Sequence, residues 1–170
     1  MKIKFLFTLL LTSLLFMSCE DSTQKVINVN DTITDAYNNV YFDANVLGDK
    51  LAEVVDAGIE DADFKGLTEI REKFKVTVDE SIKKVEAIEN FGDSEAYKEA
   101  TLAYLKYSQD LSEYIKRLES FTKETDESEI TGWFEELDRR VNLENSLVNK
   151  VHTTQKDFAV KNNLELIEEK

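Results

Sequence analysis

Apolar side chains recur along this chain at intervals of three and four residues, in four separate segments. Such spacing places them on one face of an α-helix, because a helical turn contains about 3.6 residues. The first segment predicts a helix that starts near Asp31 or Thr32, either of which can act as N-cap. It ends before Gly58, where a glycine is favoured. Its apolar positions are Ile33, Tyr37, Val40, Ala44, Leu47, Leu51 and Val54.

The next two segments have the same spacing and are bounded by residues typical of helix ends. The second follows Gly66 and ends near residues 90–92, whereas the third begins at Asp93 and Ser94, both good N-caps. The second carries Leu67, Ile70, Phe74, Val78, Ile82, Val85 and Ile88, and the third carries Tyr97, Ala100, Tyr104, Tyr107, Leu111, Tyr114, Leu118 and Phe121.

The fourth segment opens at Asp126, which has capping-box spacing to Glu129. Glu144 and Gln155 interrupt its apolar stripe, so we expect this helix to be the least well buried of the four. The stripe consists of Ile130, Trp133, Phe134, Leu137, Val141, Val148, Val151 and Phe158.

Short connections between long helices favour antiparallel neighbours. The chain contains no proline and only five glycines, and both facts favour uninterrupted helices. Gly48 lies inside the first apolar pattern, which predicts a close contact between helices at that point. The sequence therefore predicts an all-α fold, an up-down-up-down four-helix bundle.

The N-terminal residues have the pattern of a secretory leader. Lys2 and Lys4 precede a largely apolar run, residues 5–17, which is shorter than the ~20 residues that span a bilayer. Ser18 and Cys19 follow at once and resemble a lipobox, whose cysteine becomes the acylated mature N-terminus. We therefore expect a lipoprotein signal peptide over 1–18, a lipid-anchored tether over 19–30 and the bundle domain over 31–170.

Composition narrows the choice of partners. The net charge is −14, and removal of the leader, which holds two lysines and no acid, lowers it to −16. Such a field repels phosphate backbones and anionic headgroups, so nucleic acid is not expected as a partner and membrane attachment should come from lipid on Cys19. Cys19 is the only cysteine, so no internal disulfide forms.

Candidate chemistry is sparse. His152 is the only histidine and has no nucleophile motif beside it, so we expect a surface or boundary side chain and no catalytic residue. One histidine also cannot supply the paired motifs of a di-iron bundle. The acid-rich loop 56–63 lacks the ligand order of an EF-hand. Helix capping by Asp61 or Asp63 accounts for it better than a weak calcium site, and we expect no metal and no cofactor.

All six tyrosines fall in the first and third segments. Core packing, with phenol oxygens that reach water at the rim, is one explanation. The alternative is an aromatic groove between helices that binds a peptide, a glycan or a small molecule. The candidate groove residues are Tyr37, Tyr104, Tyr107 and Tyr114.

Three stretches resemble a family of uncharacterised helical surface lipoproteins from Bacteroidetes and spirochaetes. They are residues 91–98, residues 155–166 and, more weakly, residues 35–38. The resemblance implies a surface location and no known activity. Taken with the pattern, it makes a membrane-anchored, non-enzymatic binding or scaffold module of the outer envelope, with a protein or glycan partner, the leading expectation. The alternative is a solute- or ion-binding lipoprotein that uses the aromatic groove.

Overall fold

The computed structural model describes the backbone of residues 2–59 and 61–165, and the side chains within those ranges from residue 22 onward. In these ranges the chain forms four α-helices and no strand. A 3₁₀ segment, Lys116–Ser120, continues the third helix. The helices are α1 (Lys2–Ala57), α2 (Phe64–Glu86), α3 (Glu95–Ile115) and α4 (Glu127–Lys161). The chain is an up-down-up-down four-helix bundle, as the apolar pattern predicts.

The predicted apolar faces form the core. Consecutive helices pack on one another, and α3 also contacts α1 across the bundle. Each large aliphatic or aromatic side chain that is buried contributes ~1.5–3 kcal/mol relative to exposure. The largest of the fully buried apolar side chains are Trp133, Tyr97, Tyr104, Phe74, Phe158, Ile33, Leu67, Leu105, Val40, Val78 and Val85.

The predicted start of α1 at Asp31 or Thr32 is wrong, because both residues lie inside the helix. The apolar face continues toward the N-terminus through Val29 and Val26, and Val26 is buried. The Thr32 hydroxyl donates to the carbonyl oxygen of Asn28 at 2.7 Å, a bond that suits a threonine inside a helix. Residues 22–30, predicted as part of a tether, are therefore helical.

The ends of α1 and α2 carry capping residues that the sequence predicts, but the boundaries of α2 differ from the predicted ones by a few residues. Gly58 adopts a φ of +76°, which favours glycine just after α1. Asp63 caps α2, and its carboxylate accepts from the Gly66 amide at 2.9 Å, so α2 begins two residues before Gly66. A Cβ on Gly66 would lie 2.2 Å from that carboxylate, so any other residue there would require the Asp63 side chain to shift and would disturb the cap. α2 ends at Glu86, before the predicted boundary near residues 90–92.

The cap of α4 is also close to the prediction. The Asp126 carboxylate accepts from the backbone amide of Ser128 at 2.8 Å. Glu129 does not complete a capping box, since its carboxylate lies 3.7 Å from the Arg117 guanidinium instead. At the start of α3, Ser94 stands at the cap position, but its hydroxyl accepts from the Phe91 amide rather than from the helix.

The close contact predicted at Gly48 is not formed, because nothing lies within 4 Å of a Cβ placed there. The backbones of α1 and α4 stay apart, and side-chain hydrogen bonds, Tyr37 to His152 and Gln155 to Thr34, join the two helices. Val141 and Leu143, in the middle of α4, are 42% and 50% exposed. As predicted, α4 is the least well buried helix of the bundle.

The side chains of the predicted signal peptide, of Cys19 and of the first residues of the predicted tether lie outside the described ranges. Among the described residues, none of the helices combines the length and the apolar character that crossing a bilayer requires.

Candidate functional site

Tyr37 stands at the junction of α1, α3 and α4. Its ring centroid lies 5.2 Å from that of Tyr104 on α3 and 5.7 Å from that of Tyr41 on its own helix. Its hydroxyl is 2.9 Å from Nε2 of His152 on α4, so the single histidine serves as a bridge between helices. His152 itself is exposed, at the boundary position that the sequence predicts.

A second polar bridge joins the same helices one turn away. The Gln155 amide donates to the Thr34 hydroxyl at 3.0 Å, and that hydroxyl lies 3.0 Å from the hydroxyl of Tyr97. Burial, opposed by the bond to Thr34, raises the pKa of Tyr97 to about 12. Gln155, which interrupts the apolar stripe of α4, therefore has a partner in the interface.

The two remaining groove candidates bind the backbone of α4. The Tyr107 hydroxyl donates to the carbonyl oxygen of Arg140 at 2.8 Å, and the Tyr114 hydroxyl donates to that of Trp133 at 3.0 Å. The Tyr114 ring stacks on the Trp133 ring at 5.6 Å, and the Arg140 guanidinium lies 4.4 Å from the Tyr114 centroid. These bonds link α3 to the N-terminal half of α4.

Glu144 introduces a charge into this aromatic region. It is partly buried in the middle of α4, and burial raises the pKa of its carboxyl. Burial is also the main reason that the pKa values of Tyr37 and Tyr104 are raised, and the negative charge of Glu144 adds to both effects. The Glu144 carboxylate is therefore close enough to the tyrosine cluster to influence its electrostatics.

Core packing describes the tyrosines better than an open groove does. Tyr37 and Tyr104 are 4% and 0% exposed, so a ligand could reach them only if α4 moved away. Tyr107 and Tyr114 keep part of their surface accessible, but their hydroxyls are engaged by α4. The structure brings Tyr37 and Tyr104 together and places the other two candidates farther along α3.

The acid-rich loop between α1 and α2 acts in helix capping. Besides the Gly66 amide, the Asp63 carboxylate binds the Lys50 ammonium at 2.9 Å, and the pKa of Asp63 is lowered, first by that bond and then by the bond to Gly66. Within the described ranges, no three His, Cys, Asp or Glu side chains are grouped so as to hold a metal ion.

An apolar cavity of about 300 Å³ opens at the end of the bundle where α1 stops and α4 starts. We call it the end cavity. Among the residues that line it are Val55, Ile59, Phe64, Leu118, Ile130 and Phe134. Phe134 packs edge-on against the buried Trp133, the only tryptophan, with the ring centroids 5.0 Å apart.

Sequence reasoning missed the end cavity. Its walls come from residues next to helix ends, where the apolar period breaks and loop chemistry dominates the pattern. The available signal was Ile59, an apolar residue in the middle of an acid-rich loop, with Phe64 directly after that loop. An apolar side chain in such a loop is not explained by capping.

Comparison of the chain with protein-family models, with curated proteins and with solved structures finds no match.

Proposed function

We propose that this protein is a lipid-anchored, non-enzymatic binding or scaffold module of the bacterial cell envelope, attached through acyl chains on Cys19. The observation that carries the proposal is the placement of the single cysteine directly after Ser18 and the apolar run 5–17. Acyl chains bury many methylenes at ~0.8 kcal/mol each, and two or more chains give stable anchoring. The family resemblance of residues 91–98 and 155–166 belongs to the same proposal.

The shape of the bundle suits presentation of a surface away from a membrane. α1 continues to Ala57 without a break, and a helix rises 1.5 Å per residue. The stretch from Cys19 to Val54 therefore covers about 50 Å. An anchor at one end of α1 would leave the far end of the bundle free for a partner, and the net charge, −14 for the whole chain and −16 without the two leader lysines, would keep its flanks off anionic headgroups.

Removal of the cysteine tests the anchor. We expect Cys19→Ala to abolish metabolic labelling with a fatty acid and to release the protein from the membrane fraction. Asn38→Ala, an exposed position on α1, is the control and should leave labelling and fractionation unchanged. A Cys19→Ala protein that is still labelled and still sediments with membranes would refute the proposal.

Exposure on the cell surface is tested separately. Glu20 and Asp21 follow the cysteine and resemble the acidic signal that directs some lipoproteins outward. Protease added to intact cells should digest the wild-type protein. The variant Glu20→Ala/Asp21→Ala should remain lipidated but become protected until the cells are lysed. Full protection of the wild type in intact cells would place the protein in the periplasm.

A further inference from the structure

We propose that the end cavity is a binding site for a small, uncharged apolar molecule. This inference concerns the bundle and does not depend on the lipid anchor, so the two can fail independently. It also differs from the tyrosine groove that the sequence suggests, because the end cavity lies at the loop end of the bundle and contains none of the tyrosines.

The size and lining of the end cavity define the class of ligand. Its volume is about 300 Å³, at the lower end of the range typical of small-molecule sites. An apolar cavity of ~150 Å³ is enough to bind benzene, so this one has room for two aromatic rings or a short aliphatic chain. Every residue that lines it is apolar or glycine, and none offers a charged side chain to a ligand inside.

The end cavity is open to solvent rather than sealed in the core. Val55 is 38% exposed, and Ile59, Phe64 and Ile130 are partly exposed. Apolar walls in contact with water cost stability, whereas an occupant that covers them recovers the transfer free energy of ~25 cal/mol per Å² buried. An apolar molecule of matching size therefore gains affinity from the surface that folding leaves uncovered.

The charged side chains around the mouth of the end cavity affect whether an uncharged or an anionic ligand is favoured. Asp61 and Asp63 lie in the loop beside Ile59, and Glu127 and Glu129 lie in the first turn of α4 beside Ile130. Lys50 neutralises Asp63, and Arg117 lies within 4 Å of Glu129. Two further lysines lie nearby: Lys65 follows Phe64 and its charge acts on Asp63, and Lys123 lines a separate shallow depression that shares Ile59 with the end cavity.

These pairs do not cancel the acidic excess of the whole chain, whose net charge is −14. No side chain that lines the end cavity can pair with a carboxylate or sulfonate, and the acidic excess of the whole chain disfavours the approach of an anion.

Two fluorescent probes with the same ring system test the proposal. N-phenyl-1-naphthylamine is uncharged, and 1-anilinonaphthalene-8-sulfonate is the same skeleton with one sulfonate. Trp133 is the sole tryptophan and its ring contacts Phe134, which lines the end cavity, so energy transfer from Trp133 reports probe bound toward this end of the bundle. The full-length protein is used in buffer without vesicles, because the uncharged probe also partitions into bilayers.

We expect saturable transfer to the uncharged probe, with about one site per chain. The sulfonated probe should bind at least about tenfold more weakly at low salt, and added salt should reduce that difference because it screens the repulsion. Equal binding of both probes at low salt would contradict the assignment to an uncharged ligand.

Variants that fill the end cavity locate the binding. Val55→Phe and Ile130→Phe each place a ring at the mouth of the end cavity. Each should lower the affinity for the uncharged probe at least about tenfold. Val76→Phe is the matched control, because Val76 is a 57% exposed helical valine on α2 that does not line the end cavity. Its affinity should stay within about twofold of the wild type.

Thermal unfolding of each variant is measured alongside, and a variant that melts near the wild type counts as folded. The proposal is overturned if the wild type shows no saturable transfer. It is equally overturned if both filled variants bind the probe as the wild type does, or if Val76→Phe weakens binding as much as they do.

Discussion

Tyr104 is completely buried, and among the described residues its hydroxyl has no hydrogen-bond partner. The Ser108 hydroxyl, one turn away, donates to the backbone carbonyl of Tyr104 at 3.0 Å. A buried hydroxyl without a partner loses its hydration and gains nothing in return. The ring of Tyr104 therefore stabilises the core through area and contact with Tyr37, while its oxygen is a net cost.

Two tyrosine-to-phenylalanine substitutions on α3 should therefore change the free energy of unfolding in different directions. Tyr104→Phe should leave the free energy of unfolding unchanged or raise it by up to ~1 kcal/mol, because it removes an unsatisfied polar atom. Tyr107→Phe should lower it by ~0.5–1.5 kcal/mol, because the bond to the Arg140 carbonyl is lost. Urea denaturation of both variants checks this. A larger loss for Tyr104→Phe than for Tyr107→Phe would mean that the Tyr104 oxygen has a partner.

Glu144 makes stability depend on pH in a predictable direction. Burial raises the pKa of its carboxyl above the ordinary value of 4.5, so the folded protein holds this proton more tightly than the unfolded chain does. Folding then takes up a proton between the two pKa values, and the contribution of Glu144 to stability falls as the pH rises through that range. Above the pKa that Glu144 has in the folded protein, the carboxyl is ionised and the partly buried charge lowers the stability by its full amount.

Glu144→Gln should remove this dependence. The variant should be more stable than the wild type at about pH 8, and the difference should shrink toward zero at about pH 4, where the wild-type carboxyl is protonated. Glu135→Gln, at an exposed position on the same helix, is the control and should change stability by less than ~0.5 kcal/mol at both pH values. A Glu144→Gln protein that is less stable at the higher pH would show that the charge has a stabilising partner.

At the scale of the elements, the α3 seam is the centre of the bundle, because α3 contacts the other three helices. Leu111 in this seam is 7% exposed, whereas Leu143 on α4 is 50% exposed. Leu111→Ala should cost ~2–5 kcal/mol, since it leaves a cavity in the core. Leu143→Ala, the same change on an open helix face, should stay within ~0.5 kcal/mol. Chemical denaturation monitored by circular dichroism at the helical band measures both values.

The elements themselves could be predicted from the sequence because each is determined locally. The period of the apolar positions marks the helices, and Gly58, Asp63 and Asp126 mark three of their ends. The start of α1 was misplaced because good capping residues, Asp31 and Thr32, also occur inside helices when neighbouring apolar positions are buried. Propensity at one residue is weaker than packing over several turns.

Contacts between distant helices could not be predicted in the same way. Gly48 suits a close approach, but the distance between α1 and α4 depends on how all four helices pack, and that leaves Gly48 open. The burial of Glu144 and the end cavity have the same origin. Both arise where α4 meets α1 or the loops. The pattern of apolar positions along the sequence holds no information about the distances between these elements. Core packing could be proposed for the tyrosines, but the sequence could not show that Tyr41 is exposed or identify the partners of the others on α4.

At the scale of the whole molecule, excess negative charge opposes folding. Acidic side chains exceed basic ones by 14, and the bundle holds them closer together than the unfolded chain does. Several surface pairs, such as Lys75 with Glu113 at 3.0 Å, offset part of this repulsion. An exposed pair is worth only ~0.2–1 kcal/mol, so the pairs cannot cancel the excess.

Salt should therefore stabilise the protein. Raising sodium chloride from about 0.02 M to about 0.3 M shortens the screening length from tens of ångströms to a few, so repulsion among distant carboxylates weakens more than attraction within contacting pairs. The melting temperature should rise across this range. The triple variant Asp49→Asn/Glu99→Gln/Glu135→Gln neutralises exposed acids on α1, α3 and α4. Its melting temperature should be higher than that of the wild type at low salt and should respond less to added salt. A melting temperature that falls as salt is added would mean that the attractive pairs outweigh the repulsion, and the triple variant would then show no gain at low salt.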